Sequence, residues 1–185
     1  IARVFEAVLQ RGSMWDAAGK HEAAERDYRT AVAYLPRYAH AVGHLVSYLS
    51  AAEAEKMLRL VIERADDPEY PATLSVVLEE QKKGSGAEML AKATAGYEEL
   101  MKKQPLAFAD HAGWFYLRVA KDYDKAVAVA QQNFDNRQVA EAYELLILSL
   151  DAAGKKDEAC QRKAEAEKLS HATDGLKKAL GKVSC

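Results

Sequence analysis

Two histidines four residues apart, His40 and His44, have the spacing in this chain that comes nearest to chemistry. On a helix that interval places both imidazoles on one face, where they can reach one metal ion. A zinc protease needs Glu directly after the first His, and that position is Ala41. No third ligand follows at a recognisable spacing, although a metal asks for three or four converging groups, so the pair reads as surface residues and no metal is expected. Nucleophilic catalysis fares no better: there is no G-x-S-x-G turn, and Cys160 falls in the middle of a helical stretch. Gly84-Ser85-Gly86 is too short to cradle phosphate and lacks the G-K-[ST] ending. No catalytic residue and no cofactor is expected. Cys160 and Cys185 make no C-x-x-C pair. They read as two free thiols, or as a disulfide if the C-terminal tail folds back.

The elements that would carry these side chains are helices. Of 185 residues, 35 are Ala against 10 Gly and 4 Pro, and Ala combines the lowest helical cost with room for close helix contact. With 49% hydrophobic residues the chain can bury a sizeable core. Its formal net charge is -2, with no basic stripe to neutralise a row of phosphates, so nucleic acid is not an expected partner. The most apolar stretch, Leu145-Leu146-Ile147-Leu148, is far too short for a bilayer. No signal peptide is visible, but the chain opens at Ile1 rather than Met, which implies a removed initial segment. The chain is expected to be soluble.

Apolar residues recur with helical period almost throughout, in short segments that come two by two. Val4, Val8 and Leu9 precede a break at Gly19; Ala24, Tyr28, Ala31 and Val32 precede Pro36. Val42, Leu45 and Leu49 lead to Ser50-Ala51-Ala52-Glu53, a capping box for the next helix. Pro68 and Pro71 suit a first helical turn, and Pro105 closes the segment holding Tyr97 and Leu100. Trp15, Tyr97 and Trp114 sit at core spacing. The pentapeptide DAAGK occurs at both residues 16–20 and residues 151–155, each time where one helix should turn into its partner. There Gly permits a positive φ and the alanines permit close crossing.

Residues 5–38 resemble the 34-residue tetratricopeptide repeat through Gly12, Trp15, Ala24, Tyr28, Ala31 and Pro36. Residues 140–173 resemble it through Tyr143, Leu146, Leu150, Gly154, Ala159 and Ala166, with Lys163 in place of the usual aromatic and His171 in place of Pro. Between them lie three looser units, 39–69, 70–106 and 107–139, with a short helix or tail over 174–185. The stretch Phe108–Leu117 is similar to segments of bacterial tetratricopeptide proteins. The resemblance implies an all-α, right-handed α-solenoid of about five antiparallel helix pairs, non-enzymatic, binding a protein or peptide along a concave wall made by the first helices.

By that analogy the wall takes Glu6, Leu9, Ser13 and Asp16 from the first unit, and His40, Gly43, Ser47 and Ser50 from the second. Phe108, His111, Phe115 and Arg118 come from the fourth, and Glu141, Glu144, Leu148 and Asp151 from the fifth. Family members that clamp a C-terminal carboxylate use Lys and Asn where Leu9 and Ser13 stand here, so that partner is not expected. Self-association through exposed end repeats is the alternative, with Ile1 opening almost inside a helix and leaving the first face without a cap. A metal-binding or catalytic protein built on His40, His44 and His111 is a third, weaker reading.

Overall fold

The computed structural model describes residues 2–36, 38–82 and 84–185, and of residues 2–4 the backbone alone. The expectations resting on Ile1 and on the Val4 side chain lie outside the described residues. Among these residues the chain is entirely helical: α1 (Ala2–Ala17), α2 (His21–Tyr34), α3 (Ala39–Leu45), α4 (Ala51–Ile62), α5 (Glu69–Glu80), α6 (Gly86–Lys103), α7 (Pro105–Phe115), α8 (Tyr123–Asn136), α9 (Ala140–Ala152), α10 (Lys156–Ala166) and α11 (Asp174–Lys182). A 3-10 turn, Val46–Tyr48, extends α3, and a π turn, Tyr116–Ala120, extends α7.

The helix ends follow local chemistry. Ser50 accepts from the Glu53 amide while the Glu53 carboxylate accepts from the Ser50 amide, so the capping box starts α4 as the sequence predicts. Asp122 and Thr173 cap α8 and α11 in the simpler way, through the Lys125 and Leu176 amides. Pro105 takes the first position of α7, where no amide partner is needed.

Both DAAGK copies form the same helix stop. Gly19 and Gly154 have φ of 70° and 75°. The Lys20 amide donates to Trp15 O at 2.8 Å and the Gly19 amide to Asp16 O at 2.9 Å; Lys155 to Leu150 O (2.9 Å) and Gly154 to Asp151 O (3.0 Å) repeat the pattern. This is the Schellman arrangement, which satisfies the last carbonyls of the first helix and reverses the chain. Where the pentapeptide is missing, lysine takes the left-handed position, with Lys82 at φ 55° and Lys121 at φ 54°. A side chain with Cβ occupies that region at a cost of about 1–2 kcal/mol, a local reason why the middle units match the repeat poorly.

The chain forms two compact units, Ile1–Ala93 and Thr94–Cys185, the boundary falling within α6. In the first, Leu9, Tyr28, Val42, Leu58, Leu74 and Leu78 are fully buried. At its centre Gly12 of α1 meets Tyr28 of α2; a Cβ at Gly12 would come within 2.7 Å of the Tyr28 ring. Beside this contact Arg11 grips Asp27 with two hydrogen bonds of 2.7 and 2.8 Å. That guanidinium holds the largely buried Asp27 carboxyl below the usual range, against the upward push of burial.

In the second unit the core runs through Phe134, Leu145, Leu146, Ile147, Leu150 and Leu176. Its last helix, α11, packs on α9 with Leu176 and Ala179 inward and Lys177, Lys178 and Lys182 exposed. Cys160 of α10 and Cys185 are joined by a disulfide, so neither is a free thiol, and Lys163 Nζ donates to Val183 O at 2.8 Å. The tail folds back, which decides between the two readings of the cysteines.

Two outcomes test this packing. Gly12→Ala should lower thermal stability by about 1–3 kcal/mol through overpacking, even though Ala is the better helix former. An unchanged midpoint would mean the Tyr28 ring yields. The disulfide closes a loop with a sequence separation of 25 residues, and reduction should cost the second unit about 3 kcal/mol. Urea midpoints with and without reductant measure this, and Cys160→Ser should abolish the difference.

Candidate functional site

In the first unit the residues assigned to the wall from sequence divide into three kinds. Leu9 is completely buried and belongs to the core with Tyr28 and Val42, which corrects its assignment to an open surface. The physical reason is the close approach at Gly12: it draws this face of α1 down onto α2. Glu6 and Ser13 are half-buried, Glu6 accepting from Tyr38 Oη at 3.4 Å and Ser13 turned back to Leu9 O at 3.4 Å. His40, Ser47 and Ser50 are exposed.

Asp16 has a structural task the pattern did not show. Its Oδ2 accepts from Tyr28 Oη at 3.0 Å, and its Oδ1 accepts from Tyr48 Oη. His21 Nδ1 lies 3.3 Å from the same carboxylate. One carboxylate thus ties α1 to α2 and to the 3-10 turn of the following pair. Burial pushes the Asp16 carboxyl up, but the bonds from Tyr48, Tyr28 and His21 outweigh it and hold it below the usual range. Burial and the Asp16 charge raise the Tyr48 hydroxyl, keeping it a neutral donor.

The buried Tyr28 ring stacks on the His44 imidazole, with centroids 4.9 Å apart and planes 12° from parallel. His44 Nε2 lies 3.1 Å from His40 Nε2. Burial, and then the proximity of His40, lower the His44 pKa and favour its neutral form. Among the described residues no group of three or more His, Cys, Asp or Glu converges as a metal site would require.

In the second unit Phe115 is buried, stacked on Tyr97 with centroids 4.6 Å apart, and is a core residue rather than a wall residue. It ends α7 just before the π turn and meets Tyr116 edge-on, so its ring is held inward by two aromatic neighbours. Beyond it Arg118 is exposed, its guanidinium 3.9 Å above the ring of Trp114, which is half-buried and packs against the core of this unit. Trp15 is likewise half-buried, under Lys20 Nζ at 4.7 Å.

His111 is exposed, its Nδ1 2.8 Å from Asp110 Oδ1, while Arg137 Nη2 donates to Asp110 Oδ2 at 2.6 Å. Burial raises the Asp110 carboxyl, but His111 and Arg137 together bring it below the ordinary range. Phe108 is half-buried and Glu141 exposed. Glu144 is half-buried beneath α11, where a Cβ at Gly175 would overlap its carboxylate, and burial raises its pKa. Leu148 and Asp151 are half-buried. The Asp27–Arg11 and Asp110–Arg137 pairs carry no sequence signal, because each joins side chains many residues apart.

A carboxylate lowered in the folded state stabilises above its unfolded pKa, near 4, and loses that contribution as pH falls through the folded value. Asp16→Asn should therefore cost about 1 kcal/mol at pH 7, a figure discounted for partial exposure, and less as the pH approaches 3. Thermal midpoints of wild type and variant should converge in acid; a constant gap would show that Asp16 acts by shape alone.

No protein-family model matches the chain, and no curated protein matches it in sequence. Among solved structures it is similar to TTC0263, a thermophilic TPR protein of Thermus thermophilus, with 20% identity, 97% of this chain and 98% of that one covered, and a TM-score of 0.71. It is also similar to a tetratricopeptide repeat protein from Parabacteroides merdae, with 14% identity, 97% and 70% covered, and a TM-score of 0.59. The paired short helices, the repeated Schellman turns and this likeness agree: the chain has a tetratricopeptide-type helical-repeat fold.

Proposed function

We propose that the chain is a non-enzymatic scaffold that binds a peptide or protein segment against the first helices of its pairs. The observation that carries this reading is the exposed, chemically mixed face of α7 and its π turn. There His111 is held by Asp110, and the Arg118 guanidinium sits over the Trp114 ring, offering an aromatic surface and a cation side by side. Such an Arg–aromatic pair suits a segment carrying a carboxylate next to an apolar side chain. Glu141 adds an exposed acid one pair further on. The helical-repeat fold supports the reading, since stacked pairs present extended side-chain surfaces without supplying reaction chemistry.

The disulfide favours an oxidising setting, such as the periplasm, over the cytoplasm. No helix among the described residues is long and apolar enough to cross a membrane.

A displayed library of short peptides, selected on the intact oxidised chain, tests the proposal. Selected sequences should be enriched in acidic residues beside aliphatic or aromatic ones. Arg118→Glu should weaken their binding at least tenfold, about 1.4 kcal/mol, and His111→Ala less. Ligands that bind both variants as tightly as wild type would place the surface elsewhere. A library yielding no ligand would overturn the scaffold reading.

A further inference from the structure

The two imidazoles of α3 are arranged as a chelate. His40 and His44 lie one helical turn apart, and their Nε2 atoms are separated by 3.1 Å while their ring centroids are 5.0 Å apart. The nitrogens are therefore nearer than the ring centres, so each ring turns its Nε2 edge towards the other. A borderline divalent ion sits about 2.0–2.1 Å from an imidazole nitrogen. Two such bonds to atoms 3.1 Å apart subtend about 100° at the ion, between the square-planar and tetrahedral angles.

The support behind the pair is as specific as the pair itself. The buried Tyr28 ring stacks face to face on His44 and fixes its plane. Tyr28 is in turn held by Asp16 through its hydroxyl. The Tyr38 ring lies 6.1 Å from that of His40. His40 is exposed, so the outward side of the pair is open to an ion and to its waters. Without a metal, the 3.1 Å separation serves one N–H···N bond, in which one Nε2 donates and the other accepts.

We infer that His40 and His44 form a two-imidazole binding site for a borderline divalent cation of the zinc and copper class, with the remaining coordination positions filled by water. No third protein ligand converges among the described residues, so the ion is exchangeable rather than buried. Binding replaces the N–H···N proton with the metal: both rings take the Nδ1–H tautomer, and both Nε2 lone pairs point at the ion. Imidazole nitrogen selects copper and zinc over magnesium and calcium, with copper the tightest.

The inference is independent of peptide binding, because the site lies in the first unit and needs no organic ligand. It is tested by calorimetric titration of the intact chain, carrying no histidine tag, with zinc chloride, copper(II) chloride and magnesium chloride. One saturable zinc equivalent is expected, copper binding more tightly and magnesium giving no heat of binding. His40→Ala removes an exposed ring. His44→Phe keeps a flat ring on Tyr28 but has no nitrogen, and far-UV circular dichroism checks that both variants stay folded. Each should weaken zinc at least tenfold, while His171→Ala leaves it unchanged. A metal-induced rise in the wild-type melting temperature, absent from His40→Ala, is the second readout. No saturable zinc binding, or an affinity reduced by neither or by only one of the two substitutions, overturns the site.

Discussion

Close approach of paired helices is the constraint on which the first unit rests. A hairpin of two short helices cannot cover its own apolar stripe, so its stability depends on contact with the next pair. Contact at that range needs small residues at the crossing. Gly12 lets α1 settle on the Tyr28 ring, and the fully buried Ala24 and Ala31 flank that ring along α2. Tyr28 then passes the constraint outward. Its hydroxyl is fixed by Asp16, its face by His44, and through His44 it sets where the His40 imidazole can meet its neighbour.

The second unit uses the same close approach, where a Cβ at Gly113 of α7 would come within 2.7 Å of Leu145, and adds aromatic contacts and a different closure. Phe115 stacks on Tyr97 and meets Tyr116 edge-on at 5.2 Å, while Phe134 packs edge-on against Tyr143 at 4.7 Å. Phe115, just before the π turn, fills the core, and Arg118, within it, lies on the surface. Closure comes from α11, held by Leu176 in the core and by the disulfide to α10. Charge placement follows from this packing. Glu144 is pressed under α11 and Asp110 is locked between His111 and Arg137, which leaves Arg118, His111 and Glu141 exposed on that surface.

Much of the local structure could be read from residue types alone. The capping box at Ser50 and Glu53, the proline that opens α7 and the two DAAGK turns are short-range devices, each complete within six residues. Family analogy was less dependable at the surface. It placed Leu9 and Phe115 on an open wall, whereas the close approach at Gly12 and the stacking of Phe115 on Tyr97 hold both in the core. It also treated Asp16 as a free surface acid, because a partner at Tyr48 is 32 residues away and leaves no trace in the local pattern.

The sequence by itself determined that the chain is helical, that its helices come in pairs, and where several of them stop. Those properties are decided within a turn or two by propensity, capping and positive φ. Only the tertiary structure decided that Cys160 meets Cys185, that Arg11 grips Asp27, and that His40 and His44 turn their Nε2 edges together. The cysteine and ion-pair contacts depend on how folded-back segments meet. The histidine contact depends on which way a ring is pushed by a buried neighbour from another helix, Tyr28. Spacing can put two imidazoles on one face, but a packed aromatic ring is what aims one of them.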